Sequence, residues 1–440
     1  MAEPVRIAVT SLGCPKALVD SEKMLGLLAE AGCLVGADAN DADVILINTC
    51  AFIAPAREES MAAIRQAVKL KRAGRVRRVV VAGCLPQKQA QQLLQELPEI
   101  DAVVGVFDRQ DVVLAVLGQG RLVRVSRPKG RFRDDDRGRL RLTPRHRAYV
   151  RLAEGCSAGC SYCTIPAIRG PLRSKPAEAV LAEAAELVAD GAIELNLIAQ
   201  DTTAYGSDLP GGTNLAGLIR RLGELAGLRW LRLMYANPAT MTEQVILAMA
   251  QTAKVVPYLD IPLQHISDKV LLAMRRRYDR RRVEGLLGSL RRRIGGIAIR
   301  TTFIVGFPGE SRQDFGELLE FVQAQRFEAV GVFPYYNEPG TPASRLPNQI
   351  PPKTRQRRRE QVMKKQQEIA FAANAARVGS TLELLVEGLD ERGRCIGRHA
   401  GQAPEVDSVC ILREPRASGR IIRAKVVGSA GYDLVVQAEE

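Results

Sequence analysis

A chain of 440 residues exceeds the roughly 250–300 residues at which one hydrophobic core stops growing, so two or three domains are expected. With 46% hydrophobic and 25% charged residues it is neither a disordered nor a fibrous chain, and no run of 18 apolar residues offers a membrane span. The net charge of +14 points to an anionic partner, nucleic acid or a ribosome, unless the chain is simply a basic protein. Residues Met1–Thr10 lack the apolar stretch and cleavage site of a signal peptide, so a cytoplasmic location with no membrane contact is expected. Nine cysteines in such a chain argue against a disulfide framework and for metal binding or chemistry.

Residues 1–120 repeat one pattern three times: a β-type apolar run, a turn carrying a cysteine, then a helical stretch. Arg6–Thr10 leads to Cys14, Val44–Asn48 to Cys50, and Val79–Ala82 to Cys84. Helices are predicted near Ala17–Ala31, Ala56–Lys71 and Gln87–Leu97. Alternating strands and helices imply a parallel α/β domain, and ligands of such sheets bind at the carboxyl ends of the strands, where all three cysteines fall. Residues 121–147 are rich in Arg, Gly and Pro and include Asp134-Asp135-Asp136; they read as an exposed basic linker.

Residues 148–375 carry six predicted strands: Ala148–Ala153, Glu194–Ala199, Trp230–Tyr235, Tyr258–Leu263, Ala298–Val305 and Ala329–Pro334. Helical patterns such as Pro176–Ala189 and Asp314–Gln325 separate most of them, which suggests an incomplete (β/α)6 barrel with its chemistry on the loops after the strands. Lys353–Arg377 reads as one long basic helix. Residues 376–440 hold short β runs (Leu382–Val386, Val409–Arg413, Ile421–Val427, Leu434–Val436) and suggest a small antiparallel, OB-like β-barrel.

The strongest motif is Cys156-Ser-Ala-Gly-Cys160-Ser-Tyr-Cys163, directly after the first barrel strand. Closely spaced thiolates are typical iron–sulfur ligands, and three of them leave one iron of a four-iron cluster open. A structural zinc site would want a fourth ligand, and the nearest histidine, His146, precedes the strand. Cys14, Cys50 and Cys84 occupy equivalent positions of one sheet, which favours a shared ligand over three separate packing residues. Cys33, Cys395 and Cys410 lack partners in the pattern and read as packing residues.

The segment EGCSAGCSYCTIPAIRGPLRSK, together with the three-cysteine first domain and the carboxyl-terminal β domain, resembles the radical S-adenosylmethionine methylthiotransferases across essentially the whole chain. SLGCPKALVDSE at Ser11–Glu22, AQDTTAYG at Ala199–Gly206, DIPLQH at Asp260–His265 and GRHAGQAPEVD at Gly397–Asp407 resemble the branch that modifies an aspartate of ribosomal protein S-twelve, although Ala17 stands where that branch usually has Asn. The resemblance implies two 4Fe-4S clusters, an auxiliary one on Cys14, Cys50 and Cys84 and a radical-forming one on Cys156, Cys160 and Cys163. It also implies S-adenosylmethionine as cofactor and a TRAM domain at residues 376–440. One S-adenosylmethionine would methylate sulfur at the auxiliary cluster. A second, cleaved at the other cluster, would give the radical that abstracts hydrogen from the aspartate β-carbon. Implied partners are ribosomal protein S-twelve, free or within the ribosome, and a reducing donor such as flavodoxin or ferredoxin.

Weaker signals surround these motifs. Gln200, Asp201, Gln264 and His265 lie at or after barrel-strand ends, where cofactor and substrate contacts concentrate; for His265 a structural hydrogen bond is the alternative. Gly306 could let backbone approach the adenosyl group, or could serve a tight strand-exit turn. Arg169 and Arg173 could pair with a cofactor or substrate carboxylate, or lie on the surface. Tyr162 and Arg173 join Gln200 and Gly306 as cofactor-binding candidates; Asp260, Gln264, His265, Glu405 and Asp407 are the substrate-binding candidates. The rival substrate is transfer RNA. From Arg377 onward there are nine Lys and Arg against ten Asp and Glu, and a near-neutral domain with acidic Glu405 and Asp407 suits a basic protein better than RNA.

Overall fold

The computed structural model describes residues 3–128, 130 and 135–439; Met1 and Asp134 lie outside the described residues. The chain forms two compact units. The first comprises residues up to Thr143 together with Tyr149–Ser157 and Cys163–Lys175; the second comprises Pro144–Ala148, Ala158–Tyr162 and everything from Pro176 on.

The first unit is built on β1 (Arg6–Ser11), β2 (Leu34–Val35), β3 (Val44–Thr49), β4 (Arg78–Gly83), β5 (Ala102–Val104) and β6 (Leu122–Arg124). They form one parallel sheet in the order β2-β1-β3-β4-β5-β6. Strand side chains alternate between faces, and here both faces are apolar. Ile45, Ile47, Val79, Val81 and Val103 pack with Met61, Ile64 and Val68 of α2 (Ala54–Arg72) and Leu85 and Leu93 of α3 (Cys84–Glu96). Their neighbours Val44, Leu46, Val80, Ala82 and Val104 pack with Met24 and Leu28 of α1 (Pro15–Glu30) and Val112 and Val116 of α4 (Val112–Leu117). Cys33 belongs to this second layer, as a packing residue should.

Among the described residues of 121–147, most are exposed as their composition suggests, but Asp136, Arg139, Thr143, His146 and Arg147 are buried. The chain after Asp135 runs along α1: Lys23 donates to the Arg137 carbonyl (2.6 Å), Leu140 N–H to the Glu22 carbonyl (3.1 Å), and Leu142 N–H to the Glu22 carboxylate (3.0 Å). Gly26 allows this approach, because a Cβ there would lie 2.2 Å from the Gly138 carbonyl oxygen. Asp136 is wholly buried. The density of charge was misleading because its partners are remote in sequence.

Strand β7 (Arg147–Arg151) leads to β8 (Ala153–Glu154), then to α5 (Ile165–Arg169) and β9 (Arg173–Ser174), which pairs antiparallel with β8. The second unit then alternates α6 (Ala177–Ala189), β10 (Glu194–Ile198), α7 (Leu215–Gly223), β11 (Trp230–Leu233), α8 (Glu243–Gln251), β12 (Val255–Asp260), α9 (Asp268–Ala273), α10 (Arg280–Arg293), β13 (Ala298–Val305), α11 (Arg312–Gln325) and β14 (Ala329–Pro334). The strand order β14-β13-β12-β11-β10-β7 is that of an open six-stranded half-barrel. Its strands 10 to 14 pair in parallel. The predicted long helix is α12 (Pro352–Arg377).

A closed barrel follows: β15 (Thr381–Leu389), β16 (Cys395–His399), β17 (Cys410–Leu412), β18 (Ile421–Ala430) and β19 (Asp433–Ala438). Strand β16 was not anticipated, and closure between β17 and β19 is parallel rather than antiparallel. Cys395 and Cys410 sit in its apolar core.

A buried ion cluster fixes this barrel within the second unit. The Glu194 carboxylate on β10 accepts from Arg232 Nε on β11 (2.9 Å) and from the Arg398 guanidinium on β16. Arg398 Nε donates to Glu387 on β15 (2.8 Å), whose other oxygen meets His146 Nε2 (3.0 Å) and Arg147 Nε (3.1 Å). Burial would raise the Glu387 pKa, but the His146 hydrogen bond and the Arg398 and Arg147 charges hold it at about 2, against 4.5 for a free glutamate. A depressed carboxylate stabilises the fold above its unfolded pKa and loses that contribution as pH falls from about 4.5 toward 2. At ~1.36 kcal/mol per pH unit this amounts to roughly 3 kcal/mol at neutrality. Thermal melts of Glu387→Gln should therefore lie well below the parent at pH 7, with the gap narrowing below about pH 4.5 and closing near pH 2; an equal gap at pH 7 and pH 2 would contradict the anchoring role.

Candidate functional site

Cys14, Cys50 and Cys84 stand at the carboxyl ends of β1, β3 and β4, three adjacent parallel strands. Pro15 opens α1 and leaves Cys14 as its N-cap residue; Cys84 is the first residue of α3. Two glycines make room for these turns. Gly13 has φ +106° and a Cβ there would lie 3.0 Å from Cys50 Cβ; Gly83 has φ +95° and a Cβ would lie 2.2 Å from Asn48 Oδ1. Cys50 N–H donates to Ser60 Oγ (3.0 Å), which returns its proton to the Cys50 carbonyl (2.9 Å). Thr49 Oγ1 donates to the Ala82 carbonyl (2.6 Å) and accepts from Leu85 N–H (3.2 Å), tying the Cys50 and Cys84 turns together.

The three thiols feel one another. Burial pushes Cys84 up to about 12, with Cys14 and Cys50 adding to the rise and Arg169 opposing it. Burial also raises Cys50. At Cys14 the same burial is outweighed by the charges of Lys16 and Arg169 and by the Ala17 and Lys16 N–H groups, which bring the thiol below its ordinary value. None of the nine cysteines is in a disulfide. Among the described residues, no three His, Cys, Asp or Glu side chains converge closely enough to share a single metal ion. Three thiols at the ends of adjacent parallel strands are the kind of donor set that a four-iron cluster takes, one cysteine to each of three irons.

Beside Cys84 lies a wholly buried charged network in the first unit. Arg169 donates from Nη2 to Cys84 Sγ (3.4 Å) and to Asp20 (3.0 Å), and from Nη1 to Glu154 (2.9 Å). Arg151 bridges Asp20 (2.6 Å), Glu154 (2.7 Å) and Asp136 (2.7 Å). Arg109 reaches Asp20 (2.5 Å) and Asp136 (3.3 Å), and Lys175 reaches Asp136 (2.5 Å). Burial alone would raise these carboxylates; the arginines instead hold Asp20 at about 2 and keep Asp136 and Glu154 ionised below their usual range. Arg169 is thus no surface arginine. Arg173 stacks on the Phe107 ring, 5.0 Å from its centroid.

The Cys156–Cys163 loop follows β8. In the first unit, Gly155 has φ +78° and a Cβ there would lie 2.1 Å from the Pro171 carbonyl oxygen, so glycine is required. Cys156 N–H donates to the Gly170 carbonyl (3.1 Å), and Ile165 N–H to Cys163 Sγ (3.4 Å). In the second unit, Arg276 Nη1 donates to Cys160 Sγ (3.3 Å). Arg276 is held in turn by Asn237 Oδ1 (3.3 Å), and Asn237 donates to Asp201 (2.7 Å), which also caps the Thr202–Ala204 turn. Each cysteine trio therefore has an arginine donating to one of its sulfurs. Arg276 was not anticipated from sequence.

The remaining candidates have assigned places in the second unit. His265 is wholly buried; its Nδ1 accepts from Ser267 N–H (3.1 Å), and burial lowers its pKa to about 3, which keeps the ring neutral at pH 7. Gly306 does not offer open backbone: at φ +73°, a Cβ there would lie 2.3 Å from Arg355 Cγ of α12, and its N–H is given to Glu310. Tyr162 meets the Phe307 ring edge-on at 6.5 Å. Gln264 has φ +69° and bridges to Phe303 of β13. Gln200 follows β10, and the Asp260 carboxylate accepts from Tyr235 N–H (3.3 Å). Glu405 pairs with Arg147 (3.0 Å), while Asp407 accepts from Tyr258 (2.8 Å) and faces Arg300 (3.4 Å). Asp407 is therefore engaged within the second unit, while the Glu405 side chain stays 47% exposed.

Three family models match the chain: Uncharacterized protein family UPF0004 at residues 6–105, the Radical SAM superfamily at 150–322, and the TRAM domain at 378–438. Among solved structures, the radical S-adenosylmethionine methyltransferase TsrM from Kitasatospora setae matches 78% of this chain and 77% of its own, with TM-score 0.55 at 16% identity, which establishes likeness of fold. The Ribosomal protein uS12 methylthiotransferase RimO of Anaeromyxobacter sp. (strain K) is 45% identical over 98% of this chain and 92% of its own length. That of Trichlorobacter lovleyi is 43% identical over 99% and 98%. With such identity over nearly the whole chain, and with three family models matched in order, the chain belongs to the RimO family of radical S-adenosylmethionine methylthiotransferases.

Proposed function

We propose that this chain attaches a methylthio group to the β-carbon of an aspartate in ribosomal protein uS12, using S-adenosylmethionine and two 4Fe-4S clusters. The observation that carries this reading is the presence of two separately built cysteine trios, each with an arginine donating to a sulfur. A single trio would serve radical formation alone; transfer of a sulfur-bearing group asks for a second centre. When bound, the cluster on Cys156, Cys160 and Cys163 would pass on the electron that cleaves S-adenosylmethionine, and the one on Cys14, Cys50 and Cys84 would supply or carry the sulfur. The chain's own work is positional. Arg276 orients Cys160, Arg169 orients Cys84, and the glycines at 13, 83 and 155 let the turns close. The uS12 substrate is supported by the names of the whole-length relatives, and a flavodoxin- or ferredoxin-type protein is the proposed electron donor.

The test is anaerobic reconstitution with iron and sulfide, followed by incubation with S-adenosylmethionine, dithionite and either a uS12 peptide or transfer RNA. Mass spectrometry should find the methylthio group on the peptide aspartate. Modification of the RNA with none on the peptide would overturn the substrate.

A further inference from the structure

The charged network beside Cys84 brings Arg109, Arg151, Arg169 and Lys175 against Asp20, Asp136 and Glu154 in the buried interior of the first unit. Arg169 is the member whose guanidinium reaches a cysteine sulfur. It is 2% exposed, and carboxylates on α1 and β8 clamp its fork, so neither its place nor its charge can relax toward solvent. A cluster gains negative charge when reduced. A fixed cation and a hydrogen bond to a ligating sulfur both stabilise that reduced form, and they do so strongly where the dielectric is low.

We propose that Arg169 is the residue that sets the reduction potential of the auxiliary cluster, its charge being held against Cys84 by Asp20 and Glu154. The inference rests on the reading that Cys14, Cys50 and Cys84 bind a cluster. It assigns to the Asp20–Arg169–Glu154 set an electrostatic role beyond packing. The two carboxylates act through the arginine and trim its field.

The experiment uses the full chain with Cys156, Cys160 and Cys163 changed to alanine, so that only the auxiliary cluster is titrated. Iron content is measured first, then the potential by redox titration followed by electron paramagnetic resonance. Arg169→Gln should lower the reduced-to-oxidised ratio at fixed potential about tenfold, ~59 mV for a one-electron couple. Arg169→Lys should fall between that variant and the parent. Glu154→Gln removes a negative charge from the same arginine and should move the potential in the opposite direction. Structural loosening alone would not produce shifts of opposite sign. If Arg169→Gln takes up no iron, the sign of the Glu154→Gln shift decides. Unchanged potentials, or shifts of the same sign, in fully loaded variants would overturn the role of Arg169. Absence of any cluster in the starting triple variant would overturn the auxiliary assignment itself.

Discussion

Alanine at Cys156 should take deoxyadenosine release under dithionite to background while leaving the visible absorption of the auxiliary cluster in place. The reasoning is local. Cys156, Cys160 and Cys163 lie within eight residues of chain, so removing one leaves two ligands and no stable cluster there. Cys14, Cys50 and Cys84 owe their positions to the ends of β1, β3 and β4 and to turns closed by Ser60 and Thr49, none of which depends on Cys156. The converse variant, Cys50→Ala, should keep deoxyadenosine release and lose the methylthio product. Loss of both clusters' absorption from Cys156→Ala would refute the assignment of two independent sites.

The second large effect is on stability. Asp136→Ala should cost roughly 3–5 kcal/mol, because removing one partner of a buried pair strands the other charge. Here it strands parts of Arg151, Arg109 and Lys175 together. The melting temperature should drop by about 10 °C or more. Its neighbour supplies the control. Asp135 has a side chain 52% exposed and pairs with Arg137 at the surface, and its alanine variant should stay within about 0.5 kcal/mol of the parent. Calorimetry on the two variants separates them. Equal melting temperatures would show that Asp136 holds nothing together.

That contrast marks where sequence reading stopped. The strands of both sheets were legible because runs such as Val44–Thr49 are buried on both faces and therefore apolar throughout. The cysteines were legible because a turn after each strand placed them at one end. The ion networks were not. Asp20 and Arg169 are 149 positions apart, Glu194 and Arg398 are 204 apart, and each looks locally like a solvated charge. Strand β16 escaped for the same reason: it carries Arg398 inward, and a buried arginine looks like a loop residue until its partner is known. Asp20, Glu154 and Arg169 all lie inside the segments that carry the family resemblance, so charged residues flanking a cysteine motif were the available clue. Of the two acids read as a recognition face, Glu405 stays exposed beside Arg147, whereas Asp407 turns toward Tyr258 and Arg300.

The cluster of Glu194, Arg232, Arg398 and Glu387 bears on the modular exchange of parts. Residues 378–438 look in sequence like a cassette that could be transplanted between proteins. Yet two of those four charges come from the cassette and two from its host. A chimera bearing a foreign cassette would strand Glu194 and Arg232 in the interior unless it retained an arginine and a glutamate in register. Compatibility between donor and recipient is thus written as a charge code at the seam, and chimeras built without it should be recovered as aggregates rather than as enzymes of altered preference.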